Sequence, residues 1–596
     1  MRKFIAAVIL SGILILPGLT QAHAESVPLT SQPRKGTGLM QATTGTAYSN
    51  SNGLPFTPAV SRQVSSSLNV KDFGASGSDQ STTGSVSAGS NRLKLAAPID
   101  FKDGEGISIA HAGTAPNITT PPEAPTVSTQ VKGGSASYSY AIAYLDGKGG
   151  ESAASDIATL ATGNATLSGA NCNHITWSKP PHGVAAVALY RTMSRGTPSN
   201  TGLLVILPPS NMSYDDAGAP ILVPPIGVSQ SAPTFPLADS FVSQIAAGAG
   251  TANITLSSAT QTAASKTVVS HNDSASFRKV ISLTRNVFIP PGTYNVNLSI
   301  SKSSTLTGTG SNFNVSGAQT ILKSAQPGIA PIKIVSTGTL GYIDISNLSL
   351  DGTFSSPGLD LESPAGYVIT RSNFHDLSIS NVTSGVILNG QDIYNNSFRH
   401  IWISNVYAFG MWIGGGAGPV YNTFSSIEIT RTNTDAYSIF QFGYNSRFYD
   451  IQTDGFIFES GRDDIWVSPF IETTYAAKPP GPIGNNIAFY DGGSDNAIYS
   501  LTLQSVSAAQ GLYIHGKDQT VIGFNTWGSP YPSYPIVLAN SSGTLINATI
   551  EGTDYIDNYT SATTLAQWSI VGGNILKDRP PSSISSASIS IPSNID

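Results

Sequence analysis

Five acidic residues in the second half of the sequence have the types and spacing that acid/base chemistry on a sugar requires. Asp435 and Asp454 each precede an apolar run, and Glu459, Asp463 and Asp464 follow shortly afterwards. Cleavage of a glycosidic bond needs one carboxylic acid to protonate the leaving oxygen and one carboxylate to activate water or attack the sugar. Two carboxylates held close together shift their pKa values apart, so that one stays protonated. We therefore predict that the catalytic residues belong to this set.

Aromatic side chains accompany these acids. Flat apolar rings with a polar edge can stack on sugar rings, so an aromatic and acidic surface fits a neutral or cationic glycan better than a phosphate polymer. We expect neither a metal nor another cofactor, because no His, Asp or Glu cluster in the sequence has metal-ligand spacing. The residues expected to contact a sugar chain are Trp412, Phe440, Tyr444, Arg462, Tyr490, Tyr513 and His515.

A repeat with a period in the low twenties positions these residues. Phe374 lies in NFHDLSISNV and Phe398 in NSFRHIWISNV; Phe424 and Phe448 continue the series, and Ile498 follows two repeats later. Repeats of this length, with short apolar runs between Asn, Gly and Ser turns, are typical of a β-solenoid whose coils stack about 4.8 Å apart around one core. The predicted fold class is all-β: a right-handed parallel β-helix with an inserted β-sandwich.

The second apolar run of each repeat predicts which side chains face outward, because neighbours along a strand point to opposite faces. This alignment turns Glu459 and the predicted aromatic residues outward, and it places Asp435 and Asp454 at one corner before their strands. The residues aligned as equivalent and inward are Val386, Met411, Tyr437, Phe456, Ile487 and Leu512. Asparagines near one corner are expected to form a stacked ladder that satisfies turn backbone groups; they are Asn373, Asn396, Asn422, Asn445 and Asn496.

Three short segments precede the repeats: NVKDFGA at 69–75, HNDSASFRKVI at 271–281 and VFIPPGTY at 287–294. Asp273 or Ser274 can cap a short helix there. These segments resemble the opening segment of the pectate-lyase-like β-helix proteins, which work on the face of stacked parallel strands. In that family the pieces follow each other closely, so the resemblance implies an insertion here. The helix would plug the open end of the solenoid with Phe277, Val280 and Ile281.

The two strongest acid candidates lie in motifs that resemble polygalacturonase-type glycoside hydrolases. Those proteins carry Asn-Thr-Asp before one strand and an Asp-Asp pair at the same corner of the next coil; here the matches are 433–435 and Thr453-Asp454. The resemblance implies that Asp435 and Asp454 form the catalytic pair. The sequence departs from the pattern, because Thr453 replaces the first aspartate of the pair and the repeats contain neither Gly-His-Gly nor Arg-x-Lys.

The inserted region has its own strand pattern. Alternating segments between Pro121 and Pro225, with Trp177 as a candidate buried residue, predict a two-sheet sandwich. The region resembles a fibronectin type III module, a kind of module that more often binds or spaces than catalyses. The flanking segments 93–110 and 245–269 are strand-like and could pair as a small β subdomain.

The sequence therefore divides into seven predicted parts. These are a signal peptide (1–24), a flexible leader (25–66), the first part of the β subdomain (67–116), the sandwich (117–226), the second part of the β subdomain (227–270), the catalytic β-helix (271–577) and a C-terminal tail (578–596).

Composition and the N-terminus favour an exported protein. Met1-Arg2-Lys3, an apolar stretch and Ala22-His23-Ala24 predict a secretory signal cleaved after Ala24, and its apolar core is too short for a permanent membrane span. The single cysteine, Cys172, excludes an intramolecular disulfide. Charged residues make up 11% of the chain and the net charge is −6, which argues against nucleic-acid binding. We predict a secreted protein, extracellular or periplasmic, with a polysaccharide as partner; a trimer is compatible with a β-helix.

Three functions remain open from the sequence. A glycoside hydrolase is favoured, because the predicted outward rows are aromatic and acidic. A polysaccharide lyase acting by β-elimination on a uronate would instead use cationic groups, for which the central repeats offer Arg399, His400, Arg431, Arg447 and Arg462. A non-catalytic polysaccharide-binding or adhesin-like protein is the third. An enzyme should bring two carboxylates within roughly 5–10 Å in an open cleft, whereas a binder should show aromatics and amides without that pair.

Overall fold

The computed structural model describes residues 67–129, 134–168, 171–207, 209, 212–225, 227–311, 319–414, 418–431, 436–472, 487–506, 510–527, 532, 534–538, 541–550, 556–557 and 568–573. The predicted signal peptide, leader and C-terminal tail lie outside these residues, as does Asp435. Within the described ranges, no helix has the length and apolar character needed to cross a membrane.

A parallel β-solenoid forms the larger part of the molecule, and the predicted all-β solenoid fold is confirmed. Its hydrogen-bonded strands are Leu68–Asn69, Asn286–Phe288, Gly292–Val296, Leu298–Ile300, Thr305–Thr307, Thr320–Ser324, Ile332–Val335, Asp344–Asp351, Leu359–Ser363, Asn373–Gly390, Ser397–Gly414, Thr423–Arg431, Tyr437–Gln441, Arg447–Thr453, Phe456–Glu459, Ile465–Val467, Phe470–Glu472, Ile487–Asp491, Ala497–Tyr499, Thr502–Gln504, Gln510–Ile514, Gln519–Ile522, Asn525–Trp527, Tyr534–Leu538, Gly543–Ile550, Ile556–Asp557 and Trp568–Gly573. A small parallel sheet lines one corner, with strands Thr339–Gly341, Val368–Thr370 and Ile393–Tyr394.

Each central coil has three faces, and single residues with positive φ make the bends. Asn373–Gly390, for example, pairs with Asp344–Asp351 along two segments, 373–375 and 377–380, and with Leu359–Ser363 along a third, 386–390. We number the faces in chain order, so that Val386 to Gly390 belong to the third face. Short polar residues tolerate the left-handed conformation best. The bend between the first and second faces falls in successive coils at Asn347, Asp376, His400, Ser426 and Asp450, with φ of 56°, 55°, 50°, 53° and 50°.

Stacked aromatic rings fill the core behind the first face, at the spacing that the repeat predicts. Phe374 and Phe398 stack with ring centroids 4.8 Å apart, and the stack continues through Phe424 and Phe448 to Trp466. Trp466 pairs in register with Ile498, so the intermediate coil expected between Phe448 and Ile498 is present. All these side chains are buried, and the stacking confirms the predicted repeat.

The predicted asparagine ladder forms in part. Asn396 Nδ2 donates to Asn422 Oδ1 at 3.1 Å, and Asn496 Oδ1 accepts from the backbone N–H of Asp464 at 3.0 Å. Asn373 and Asn445 lie one residue away from the equivalent corner positions, which Ser372 and Ser446 occupy. A single-residue offset removes a side chain from the ladder because alternate residues point to opposite faces.

The register of the third face differs from the prediction in its central coils. Val386 pairs with Met411 as predicted, but Met411 pairs with Ile439 instead of Tyr437. A register shift then separates Tyr437 from Ile439 in the pairing with the next strand. The predicted inward positions of Tyr437, Phe456 and Ile487 are therefore wrong, and the inward column runs through Ile439, Ile457 and Phe489. This shift turns Glu459 into the solenoid, opposite to its predicted direction.

The helix Ser274–Leu283 lies at the start of the solenoid. Its buried Phe277, Val280 and Ile281 belong to the solenoid core, as predicted for a plug. Asp273 occupies the N-cap position, one of the two predicted, but its side chain forms no capping hydrogen bond. Its carboxylate instead accepts from the backbone N–H groups of Ser76, at 2.6 Å, and Asn295, at 3.2 Å. A 3-10 helix, Val70–Phe73, packs beside the plug.

A six-stranded closed barrel precedes the helix. Its strands come from both sides of the inserted region: Ser81–Val86, Arg92–Leu95, Gly106–Ile109, Phe241–Ala247, Asn253–Leu256 and Ala264–His271.

The inserted region folds as two antiparallel sheets. One contains Ala136–Leu145, Ala158–Gly163, Ala186–Ser194 and Gly202–Leu207, and the other contains Thr126–Thr129, Asn173–Thr176 and Ser213–Asp216. Apolar side chains of both sheets, including Trp177, form a shared core. We refer to this region as the sandwich.

Candidate active site

The outer side of the third face carries two acidic residues that the sequence analysis did not select. Asp360 and Glu362 are two residues apart on the strand Leu359–Ser363, so both point outward. Lys333 pairs in register with Asp360 on the preceding strand. Its Nζ lies 3.4 Å from Asp360 Oδ2 and 2.5 Å from Glu362 Oε2. Because both oxygens contact one nitrogen, they lie within about 6 Å of each other, a separation close to that of glycosidase carboxylate pairs.

The two carboxylates have different surroundings. The Asp360 side chain is 17% exposed and that of Glu362 is 38% exposed. Burial raises the pKa of Asp360 above its usual value, and Lys333 only partly offsets this. Burial acts against the charge of Lys333, but both carboxylates together raise the pKa of the lysine. The site therefore combines an acid that holds its proton more tightly than usual with a lysine that stays charged.

Aromatic residues continue the same outward column. Register pairing runs from Asp360 to Ile387, then to Trp412 and Phe440. Asp360 and these three residues line a cleft of about 490 Å³, within the range of ligand sites of roughly 300–1,000 Å³. The opposite wall of the cleft comes from the sandwich and consists of Ala185, Ala186 and Pro209.

Two predicted catalytic residues, Glu459 and Asp464, lie inside the solenoid. Both are fully buried, as is Asp491, which pairs in register with Glu459. Trp466 Nε1 donates to Glu459 Oε2 at 3.0 Å, and Gln441 Nε2 donates to Asp464 Oδ2 at 3.0 Å. Among the described residues, no cation forms an ion pair with these three acids. A polymer cannot contact them in this structure.

Burial and mutual repulsion raise the pKa values of this interior group. For Glu459, burial and the neighbouring acids Asp464 and Asp491 raise the pKa well above the usual value. Burial raises the pKa of Asp464 to about 7 and that of Asp491 to about 6. The interior acids therefore give up their protons at a higher pH than usual, and their hydrogen bonds form part of the core.

Of the remaining predicted acids, Asp454 and Asp463 belong to neither group. Asp454 is half-buried at the bend before the third face, and its backbone N–H donates to Ile429 O at 3.2 Å. Asp463 is on the surface, with a carboxylate oxygen 3.2 Å from Arg462 Nε. The pairing of Asp435 with Asp454 cannot be placed, because Asp435 lies outside the described residues.

The predicted sugar-contacting residues separate into three places. Trp412 and Phe440 line the cleft. Tyr490 and Tyr513 extend the aromatic column beyond it, with ring centroids 5.7 Å apart and planes 19° apart. Because these rings stack on one another, part of their surface is used within the protein. A shallow depression of about 380 Å³ at the next corner holds Tyr444, Arg462 and His515.

The sequence contains a pattern that could have identified the Asp360 and Glu362 pair. In Leu359-Asp360-Leu361-Glu362-Ser363, leucines alternate with acids, which is the pattern of a strand with one buried and one charged side. This strand precedes the first NFHDLSISNV repeat, whereas all the predicted acids follow it. No group of three or more His, Cys, Asp or Glu side chains in the described residues could hold a metal ion.

No protein-family model and no curated protein matches the chain. Among solved structures, the chain is similar to the catalytic domain of a GH87 alpha-1,3-glucanase in complex with tetrasaccharides, at 10% identity and a TM-score of 0.33, covering 87% of this chain and 100% of that one. It is also similar to ORF18 of Geobacillus virus E2, at 15% identity and a TM-score of 0.34, covering 48% of this chain and 56% of that one. The gp42 tailspike of Acinetobacter phage vb_AbaP_AS12 is similar at 14% identity and a TM-score of 0.33, covering 53% and 57%. The chain thus spans little more than half of the two phage proteins. At such low identities and TM-scores, these similarities say nothing about what this chain binds or cleaves.

Proposed function

We propose that the protein is an exported carbohydrate-active enzyme that hydrolyses glycosidic bonds of a polysaccharide in the cleft between the third face and the sandwich. The observation that carries the proposal is that Asp360 lines the cleft with Trp412 and Phe440 and is bridged to Glu362 by Lys333. Acid pairs and aromatic platforms are the two features that sugar hydrolysis needs in one place. The pairing of Asp435 with Asp454 stays a prediction, because Asp435 lies outside the described residues.

In this proposal, Asp360 is the general acid. Its raised pKa favours the protonated form that donates to the leaving oxygen, and Glu362 acts on the sugar as base or nucleophile. Lys333 contacts both carboxylates and so holds Glu362 next to Asp360, which lines the cleft. The upper limit of roughly 6 Å between the oxygens lies below the 6.5–9.5 Å that accommodates a water molecule in inverting enzymes, which favours a retaining mechanism.

A non-catalytic glycan binder is the second candidate, and one observation favours it. Lys333 forms ion pairs with both acids, so the pair could be a structural bridge that supports an aromatic binding surface. A lyase is less well supported, because among the described residues that line the cleft the one ionisable side chain is that of Asp360, whereas elimination from a uronate requires a base and a group that neutralises the sugar carboxylate.

Incubation of the purified protein with neutral and uronate-containing polysaccharides tests the proposal. We expect new reducing ends without the ultraviolet absorbance of unsaturated products, and loss of this activity in Asp360→Asn and Glu362→Gln. Ultraviolet-absorbing products would establish a lyase instead. Binding without any cleavage would establish the binder.

A further inference from the structure

The sandwich shares the cleft with the solenoid. Ala185, Ala186 and Pro209 of the sandwich line the same space as Trp412 and Phe440. We infer that the sandwich is the wall of the glycan cleft that selects single, unbranched chains, and not a separately acting binding module. This inference rests on the proposed function, because it concerns the substrate of the same cleft.

Contacts with the solenoid hold this wall in place. Tyr407, on the solenoid strand Ser397–Gly414, packs against the core of the sandwich. At Gly147, whose φ is 76°, an added Cβ would lie 2.9 Å from Ile329 Cδ1, so the sandwich turn sits directly on the solenoid. An added Cβ at Gly328 would lie 3.1 Å from the Cβ of Ala185. Both glycines leave room for close contact between the two parts.

The two chain segments that connect the barrel to the sandwich also limit movement of the sandwich relative to the barrel. The incoming and outgoing segments pair with each other: Gly113 N donates to Asp239 O and Asp239 N donates to Thr114 O, each at 2.8 Å. Thr114 Oγ1 donates to Asp239 Oδ2 at 2.8 Å, and Ser240 N donates to Lys148 O of a sandwich turn at 2.8 Å. A module joined by two paired strands is held more firmly than one on a flexible linker.

The chemistry of the wall indicates which chains fit. Its three lining residues are small and apolar, and they offer no side-chain hydrogen bond to a sugar hydroxyl. The opposite side supplies the aromatic rings and Asp360. Among the described residues, all polar side chains that line the cleft belong to the solenoid, so a chain that lies on Trp412 and Phe440 finds its side-chain hydrogen-bond partners there. A branch directed towards the sandwich would meet folded backbone, so we expect branched chains to be excluded by shape.

Substitutions that place a larger side chain on the sandwich side of the cleft test this inference. We would make Ala185→Phe and Pro209→Phe separately, since either alone could disturb docking, and confirm that the melting temperature is unchanged. The matched control is Ala161→Phe, at an exposed position on the strand Ala158–Gly163, which lies at the edge of its sheet. Cleavage and affinity are measured on a linear polysaccharide and on a side-branched form of the same backbone.

We expect the native protein to cleave and bind the linear form at least tenfold better than the branched form. Both wall variants should lose at least tenfold in kcat/KM and in affinity. The control Ala161→Phe should keep native values. Wall variants that equal the control, while Asp360→Asn is inactive, would overturn the inference and leave the proposed function standing. Equal use of linear and branched forms would also overturn it. Full activity of Asp360→Asn would remove the proposed function, and the affinities of the wall variants would then decide the inference alone.

Discussion

The third face of the solenoid carries acidic residues on both of its sides, and the two sides place them in opposite environments. On the outer side, Asp360 and Glu362 are partly exposed and share Lys333. On the inner side, Glu459 and Asp491 are fully buried. Residue type and local sequence are similar in both places. The alternation of side chains along a strand decides which acids can meet a substrate and which become part of the core.

The inward position that Glu459 and Asp491 occupy on the third face holds apolar residues in the earlier and later coils. The earlier coils place Leu361, Leu388 and Ile413 at the same inward position, and the later coils place Ile514 and Leu538 there. In the three coils between them the position holds Gln441, Glu459 and Asp491. Buried carboxylic acids are tolerated when they are protonated and hydrogen-bonded. The comparison therefore predicts chemistry on the outer side and pH-dependent stability on the inner side.

The largest expected effect is a difference in activity between two Asp→Asn variants, one in the cleft and one inside the solenoid. Asp360→Asn should lower kcat/KM by about 10²–10⁴-fold, the usual loss for a missing general acid. Asp464→Asn should stay within about threefold of the native value, because Asp464 is fully buried and cannot contact the polymer. Initial rates of reducing-end release on one polysaccharide measure both. If the buried variant lost activity and the cleft variant did not, the assignment of the two sides would have to be reversed.

The second prediction concerns stability against pH. Burial raises the pKa of Asp464 from 3.8 to about 7. Its contribution to stability is therefore fully present below pH 3.8 and is lost as the pH rises through 7, because the folded protein must then bury a charge. Each unit of pKa shift corresponds to about 1.4 kcal/mol. The asparagine of Asp464→Asn cannot ionise, and its amide can donate to Gln441 Oε1, which has no hydrogen-bond partner among the residues that the structure describes.

Melting temperatures of the native protein and Asp464→Asn, measured from about pH 4 to about pH 9, test this expectation. We expect the native protein to lose more stability over this range, with a difference of several degrees at the alkaline end, since roughly 2–4 °C corresponds to 1 kcal/mol in larger domains. An acid that does not interact with Asp464, such as Asp273 with its raised pKa, titrates in both proteins and cancels in the difference. Parallel curves would show that Asp464 ionises normally in the folded state.

Much of this architecture was predictable because it repeats. The phenylalanine spacing identified the coils, and the apolar helix at 274–283 was recognised as the end plug, since both signals are periodic and local. The buried side of Glu459 was missed for a physical reason. A register shift near Tyr437 moves every later side chain on that strand to the other side, and no local sequence feature marks such a shift.

The carboxylate pair was missed for a different reason. Asp360 and Glu362 are visible as an alternating pattern, but Lys333 is a whole coil earlier in the sequence and the sandwich wall is more distant still. The cleft depends on how an inserted region docks, and docking contacts such as Tyr407 against the sandwich core leave no periodic signal. Motif similarity instead directed attention to Asp435 and Asp454, which share a short pattern with a family but do not identify a cleft.

The third prediction tests the aromatic side of the cleft. Trp412→Ala should weaken glycan binding by about 5- to 20-fold, equivalent to about 1–1.8 kcal/mol, because it removes a ring on which a sugar can stack. The turnover number at saturating substrate should change little, since Trp412 carries no proton in the reaction. Tyr449→Ala is the control, because Tyr449 is an exposed aromatic residue on the first face, outside the cleft. Equal losses in both variants would mean that the column only stabilises the fold.

The smallest expected effect concerns the corner beyond the aromatic column. Arg462 lies over the Tyr444 ring, 5.6 Å from its centroid, and its ion pair with Asp463 is largely exposed. Exposed ion pairs contribute about 0–1 kcal/mol, so Arg462→Ala should change the free energy of unfolding by less than about 0.5 kcal/mol. If sugar binding is confined to the cleft, affinity for long chains should stay within about twofold. A larger loss for long chains, with short oligosaccharides unaffected, would extend the binding surface from Trp412 along Tyr490 to this corner.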